Sequence, residues 1–315
     1  MGELLMRRMR MLVLVSMLLL VFAAACGGGE TTAGGGGDSG GGGGDSGTAG
    51  KEGNDLLAVI KEKGVLTAST DPAYPPQSSR APSGEIEGFD IDVTKEIAKR
   101  LGVDVEFVTP SFNAITSGSW SGRWDISVGS VTITPERQKV LYFSPVYYYT
   151  PASVAVHQEN TDVQDEKTDL DGKKIGVCAA CSYELYLENK LVILGKKYQS
   201  AVSDPQVEPY DTDSTAIQDL ALGDGVRLDA VISALPTLQL AIEEDTPIKV
   251  IGEALFLEPL GVAMDKKSPE DPKAFVKEVN SIIKEMHADG TLSELSKKWY
   301  DGNDLSQKKS AIASG

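Results

Sequence analysis

From residue 65 to residue 299 the chain alternates short β-rich runs with helical stretches, and that alternation limits the fold more than any other feature. Strand-like segments cover 65–70, 103–108, 125–129, 153–157, 173–177, 228–233, 248–251 and 260–264. Between them lie helices with one apolar face. Asp90 is placed to cap a helix bearing Val93, Ile97 and Leu101, with Lys99 and Arg100 in its last turn and Gly102 just beyond. Another starts at Ser111-Phe112. A further helix starts at Asp213 or Ser214, carries Ile217, Leu220 and Ala221, and ends at Gly223. Leu238 to Glu243 lies within a helix. Phe275, Val276, Val279, Ile282, Ile283 and Met286 mark one face of a long helix ending near Gly290, and Leu292, Leu295 and Trp299 mark the last. Such alternation predicts an α/β protein with mainly parallel sheets covered by helices. No fixed-period repeat is visible.

The N-terminal residues stand outside this pattern. Residues 1–25 read as a signal peptide: Arg7, Arg8 and Arg10 precede an apolar run too short for a comfortable membrane span. Ala23-Ala24-Ala25 then leads into Cys26, which fits a lipoprotein cleavage site with lipidation at Cys26; an ordinary secretory signal is the alternative. Both readings export the chain. Residues 26–53 form a linker, with 14 Gly among the 24 residues 27–50, reaching on the order of 25–30 Å as a flexible coil. The fold is expected over 54–303, long enough for two lobes with separate cores, and 304–315 form a C-terminal tail. The net charge of −16 excludes nucleic acid or an anionic lipid surface as the main partner, though not a small anion in a local cationic pocket. His157 and His287 are far apart, and no metal or cofactor motif is present.

The stretch Gly129-Ser130-Val131-Thr132-Ile133-Thr134-Pro135-Glu136-Arg137 carries the chemistry. It reads as a strand end, a hydroxyl-bearing loop and a helix start, with Thr134 as N-cap and Pro135 at the first helical position. Glu136 suits the positive end of the helix dipole; Arg137 does not. A cation there, beside free backbone N–H groups, suits an anionic ligand. On local sequence alone a surface ion pair with Glu136 or another carboxylate is the favoured explanation, because such pairs are common.

Several segments, taken in order, resemble the family 3 extracellular solute-binding proteins, the amino-acid receptors of bacterial ABC importers. They are Asp71-Pro72-Ala73-Tyr74-Pro75-Pro76, Gly88-Phe89-Asp90-Ile91-Asp92, residues 125–137, Phe143-Ser144-Pro145, Leu228-Asp229-Ala230 and Asp289-Gly290-Thr291-Leu292. The resemblance covers residues 54–303. It implies a two-lobe periplasmic-binding-protein-like fold of type II, with two crossover hinge strands and a ligand cleft between the lobes. Lobe 1 would be 54–150 plus 255–303, and lobe 2 would be 151–254. By the same resemblance Arg137 grips a ligand carboxylate, and Gly129, Ser130 and Thr132 supply hydrogen bonds. Tyr74 and Phe112 sandwich the aliphatic part of the ligand, with Asp71 beside them, and Ala180, Cys181 and Ser182 complete the carboxylate site from lobe 2. The family's lobe 2 carboxylate for the ligand amino group falls at Ala234 here, which leaves that end open; Asp71, Glu184 and Glu258 are the alternatives.

Cys178 and Cys181 stand at the same strand-to-helix turn. In an exported chain a Cys178–Cys181 disulfide is the expectation; a redox-active Cys-x-x-Cys is the weaker reading. The function implied is a monomeric, membrane-tethered, non-enzymatic receptor that passes a small carboxylated solute to an ABC permease. A dehydratase of the cyclohexadienyl type on the same fold is the alternative.

Overall fold

The computed structural model describes residues 54–313. The first element is α1 (Leu56–Lys63), N-capped by Asp55 and closed by left-handed Gly64. Strand β1 (Val65–Ser69) leads into a small antiparallel sheet of β2 (Ala73–Tyr74), β3 (Ser78–Arg80) and β4 (Ile86–Glu87). Then come α2 (Phe89–Leu101), β5 (Asp104–Val108), α3 (Phe112–Thr116), β6 (Ile126–Thr132), α4 (Pro135–Val140) and β7 (Leu141–His157). The chain continues through β8 (Lys174–Cys178), α5 (Ser182–Leu187), the short pair β9 (Val192–Ile193) and β10 (Lys196–Lys197), and β11 (Gln206–Tyr210). It then forms α6 (Asp213–Leu220), β12 (Ala230–Ala234), α7 (Leu235–Glu243) and β13 (Ile248–Asp265). It closes with α8 (Lys273–Ala288), α9 (Thr291–Trp299) and α10 (Lys308–Ala313).

Eight strands form one curled sheet in the order β11-β8-β12-β7-β13-β6-β1-β5. The outer strands are parallel: β1 with β5 and β6, and β8 with β11 and β12. The central pair, β7 and β13, is antiparallel and serves both halves, from Ile248 opposite His157 to Asp265 opposite Leu141. Each half has its own core. Phe89, Val93, Ile97, Tyr147, Tyr148 and Phe275 pack in one; Ile175, Val177, Tyr186, Leu187, Ile232 and Phe256 pack in the other.

Tertiary pairing explains where the elements depart from local expectation. The apolar runs around 144–157 read as separate pieces because Pro145 and Pro151 interrupt them, yet they form one 17-residue strand. Likewise 248–251 and 260–264 merge into an 18-residue strand. Both strands are paired on two sides, and the register shifts between Ile251 and Phe256 and around Gly261 absorb the irregularity. The helix after Cys181 stops at Leu187 rather than Leu191. Asn189 turns left-handed at φ 60, a conformation Asn tolerates, and the Lys190 and Leu191 N–H groups both return to the Leu185 carbonyl. Residues beyond 303 pack rather than trail: Leu305 and Ala311 are buried in the first core.

Candidate functional site

The turn from β6 into α4 forms as its residues dictate. Thr134 is the N-cap and Pro135 opens the helix, and the Thr134 hydroxyl accepts the Arg137 N–H at 3.3 Å. This directs Arg137 inward, where it is only 5% exposed. Its Nη1 donates to the Thr132 carbonyl at 2.9 Å and its Nη2 to the Ala180 carbonyl at 2.8 Å. The guanidinium sits 5.2 Å from the Phe112 ring centroid. Burial lowers its pKa to about 10, with Glu258 acting in the opposite sense, so it stays charged at neutral pH. Both bonds go to carbonyls, and a guanidinium has five N–H donors. Capacity for an anion remains.

Beside it is a cavity of ≈ 30 Å³, room for about one or two waters. Asp71, Tyr74, Phe112, Gly129, Ser130, Thr132, Cys181 and Ser182 all line it. Arg137 and Ala180 do not line it; Arg137 reaches it through two residues that do, Thr132 by a hydrogen bond and Phe112 by its ring. Cys26 lies outside the described residues. The Cys178–Cys181 disulfide is formed, with Cα atoms 5.6 Å apart, and it borders the cavity through both residues. Between them Ala180 is left-handed at φ 62, and its N–H donates to Glu184 Oε2 at 2.6 Å.

Ser130 is held from behind. Its φ is 53, an uncommon conformation for a non-glycine residue. Three contacts fix it: the N–H donates to Tyr147 Oη at 3.1 Å, Oγ donates to Asp90 Oδ2 at 2.7 Å, and Oγ meets Tyr148 Oη at 2.5 Å. Tyr147 Oη donates to the other oxygen of Asp90 at 2.7 Å. Asp90 is therefore not the N-cap of α2. That place belongs to Gly88 at φ 135, which offers no side-chain cap, and the Asp90 carboxylate points into the core to hold Ser130. Burial raises its pKa to about 7 against these hydrogen bonds.

Three lining residues lay outside the sequence expectation, Tyr183, Asp211 and Asp213, and a fourth, Glu258, entered it only as an alternative for the missing carboxylate. Glu258 sits on β13, accepts from Thr132 Oγ1 at 2.6 Å and from the Ser182 hydroxyl, and has its pKa raised by burial and lowered by these bonds and by Arg137. Asp213 is the first residue of α6, N-capped by Thr212, and accepts from Ser233 Oγ at 2.5 Å. Burial raises its pKa to about 7, with Asp71 and Glu258 adding to the rise. Asp71 accepts the Ala73 N–H at 2.9 Å and is also raised by burial. The signal for Glu258 was a lone carboxylate inside the apolar run Ala254-Leu255-Phe256-Leu257-Glu258-Pro259-Leu260-Gly261-Val262. Asp213 carried only a helix-start signal.

Contacts bridge the cavity from the two halves. Besides Arg137 and Ala180, Tyr74 Oη meets Tyr183 Oη at 3.2 Å, and Ser214 Oγ donates to the Ala73 carbonyl at 2.8 Å. Among the described residues no cluster suits a metal ion, and no helix is long and apolar enough to cross a membrane.

Residues 66–302 match the bacterial extracellular solute-binding proteins, family 3. The chain is 33% identical over 246 residues to the L-cystine-binding protein TcyJ of Escherichia coli (strain K12), covering 78% of this chain and 86% of the relative. It is 28% identical over 250 residues to the histidine-binding periplasmic protein of Salmonella typhimurium, covering 78% and 90%. Among solved structures, an ancestral arginine-binding protein bound to arginine superposes with a TM-score of 0.64 at 31% identity, over 75% of this chain and 98% of that one. The ancestral amino acid-binding protein AncCDT-1, a precursor of cyclohexadienyl dehydratase, gives 0.66 at 29% identity, over 78% and 100%. The two halves flanking β7 and β13 are thus the lobes of the two-lobe type II fold of periplasmic amino-acid-binding proteins. By the match over residues 66–302 and the identity to its relatives, the chain belongs to the family 3 bacterial extracellular solute-binding proteins.

Proposed function

We propose that this chain is a membrane-tethered receptor that closes its lobes on a small carboxylated solute, a polar amino acid or a related compound, and delivers it to the permease of an ABC importer. The observation that carries the reading is Arg137: a buried guanidinium beside a cavity, with its hydrogen bonds on carbonyls of both halves. Residues 54–150 with 255–303 would act as lobe 1, residues 151–254 as lobe 2, and β7 and β13 as the hinge strands. A cavity of ≈ 30 Å³ is too small for an amino acid, so ligand entry requires the lobes to part. A ligand that touches both lobes then favours the closed form, a population shift with no bond made or broken. The receptor works as a monomer, needs no cofactor, and is held at the membrane through lipid on Cys26 and the Gly-rich linker.

Calorimetry of the mature protein against L-cystine, L-histidine, L-arginine, L-glutamine, opines, keto acids and polyamines tests this. At least one carboxylated compound is expected to bind with a Kd of about 10 μM or tighter, and polyamines, which lack a carboxylate, are expected not to bind. Binding of a polyamine alone would overturn the reading. Cys26→Ser is expected to move the protein from the membrane to the soluble fraction; unchanged membrane retention would count against the tether.

A second reading draws on Asp213. A carboxylic acid that burial keeps partly protonated near neutral pH is what a general acid requires, and a dehydratase on this scaffold would need one. Prephenate and arogenate, incubated with the protein, are expected to be recovered intact; their loss would favour the enzyme over the receptor.

A further inference from the structure

We propose that the Cys178–Cys181 disulfide is a redox modification site: a dithiol opens it when the lobes part, and the reduced receptor holds its carboxylated solute more weakly. This rests on the receptor reading and gives the Cys-x-x-Cys turn a part in it.

The bridge joins the last residue of β8 to the N-cap of α5 and encloses only Ala179 and Ala180. A loop this short gains little from chain entropy, so the bond acts mainly on the shape of the turn. That shape is demanding. Ala180 is left-handed at φ 62, a conformation unfavourable for a residue with a Cβ. The Cys181 N–H reaches the Cys178 carbonyl only at 3.4 Å, a long hydrogen bond, so the covalent bond does most to hold the two ends together. What the turn presents is the Ala180 carbonyl, which accepts Arg137 Nη2 from the other half at 2.8 Å. Redox state therefore reaches the guanidinium through one residue. The Ala180 N–H keeps a partner of its own in Glu184 Oε2 at 2.6 Å, so reduction loosens the turn without dissolving it.

Access depends on the lobes. Cys178 is 8% exposed and Cys181 4%, and the cavity they border, of ≈ 30 Å³, has no room for a dithiol. Phe112, on α3 in the opposite half, packs against the core that contains both cysteines. Thiol–disulfide exchange needs the attacking sulfur in contact with the sulfur attacked, so the closed protein resists it. Parting of the lobes opens this wall to solution. A solute that favours the closed form then slows reduction.

The chemistry balances with one co-reactant, the dithiol. Its thiolate bonds to one protein sulfur while the Cys178–Cys181 bond breaks, and the other protein sulfur leaves as a thiolate and takes up a proton. The second sulfur of the donor, as a thiolate, then attacks the donor sulfur of this mixed disulfide and releases the first protein sulfur, which is protonated in turn. The donor ends as a disulfide and the protein as two thiols, two electrons and two protons having passed between them.

The test reduces the unliganded mature protein with dithiothreitol under anaerobic conditions and counts its thiols by iodoacetamide labelling in denaturant and mass spectrometry. Calorimetry then compares the oxidised and reduced forms against L-histidine, L-arginine, L-glutamine, opines and keto acids. Two new thiols per chain are expected. The Kd should rise about tenfold, on the order of one charge-assisted hydrogen bond loosened, and the melting temperature should fall by no more than about 5 °C. Saturating solute should slow the appearance of thiols by about tenfold or more. Cys178→Ser with Cys181→Ser should show the weaker affinity and no response to dithiothreitol; L-cystine, which the reagent would cleave, is measured on this variant against oxidised wild type. Ala180→Gly added to the pair should recover at least about threefold in affinity, since glycine takes positive φ without cost. A Kd within about twofold of wild type in both the reduced protein and the serine variant overturns the proposal. So do thiols that appear equally fast with solute bound, and a reduced protein that has unfolded, which would make the bridge a staple of the fold. An oxidised protein that binds no carboxylated compound removes the receptor reading itself, and with it the role given to the bridge.

Discussion

Arg137→Ala is expected to weaken binding of carboxylated solutes by about 10²- to 10³-fold while the protein stays folded. Two effects combine. The first is loss of charge-assisted hydrogen bonds from a desolvated guanidinium to the ligand carboxylate, at roughly 1.5–3 kcal/mol each. The second is loss of the bond from Nη2 to the Ala180 carbonyl, which crosses from one half of the molecule to the other and favours the closed form. The fold-change corresponds to about 3–4 kcal/mol, so the two effects need not add fully. Arg137→Lys separates charge from geometry: a compact ammonium cannot donate to the Thr132 and Ala180 carbonyls and to a carboxylate with one rigid fork. It should bind more weakly than wild type and more tightly than the Ala variant. Calorimetry gives the affinities, and thermal melting by circular dichroism checks that both variants remain folded. Unchanged affinity in Arg137→Ala would place the carboxylate elsewhere in the cleft.

The Arg137 turn was legible because its determinants are local: an N-cap hydroxyl, a proline at the first helical position and a short loop together fix the direction of one side chain. Helices with a clear apolar stripe, such as α8, were legible for the same reason. What sequence hid was set by distant pairing. Pro145, Pro151 and Pro259 look like breaks, yet β7 and β13 run through them because each is paired on both sides. Asp90 resembles a helix cap, but its partners Ser130 and Tyr147 lie 40 and 57 residues away. Ala234 shows that an expected carboxylate is missing from β12; it cannot show that Asp213, 20 residues from Ser233 in sequence, bonds the Ser233 hydroxyl and lines the cavity from α6. Glu258 was weighed as one possible substitute, but its two hydroxyl partners come from different lobes, a juxtaposition no local pattern encodes.

The unliganded protein is expected to be more stable at pH 5 than at pH 8, opposite to a protein whose carboxylates are mostly salt-bridged. Asp90 and Asp213 have folded-state pKa values raised to about 7 by burial, against about 3.9 in an unfolded chain. Between those values the folded state binds protons that the unfolded state releases. Their protonated forms contribute full stability below about pH 4, and that stability is lost as pH rises through 7, by up to about 4 kcal/mol per group. Burial raises Glu258, Asp71 and Asp125 as well, which adds to the same trend. The opposing groups do not interfere in this window. Asp289, held down to about 2 by Thr291 and Arg100, loses its contribution only in stronger acid. Urea midpoints at pH 5, 6, 7 and 8 and fixed ionic strength measure the slope, and a midpoint that is flat or rises toward pH 8 would contradict it. Asp90→Asn should remove one share of the slope whether or not solute is present. Asp213→Asn should remove a different share, that of Asp213. The two substitutions should therefore add, since Asp90 is held by Ser130 and Tyr147 and Asp213 by Ser233, with no shared partner.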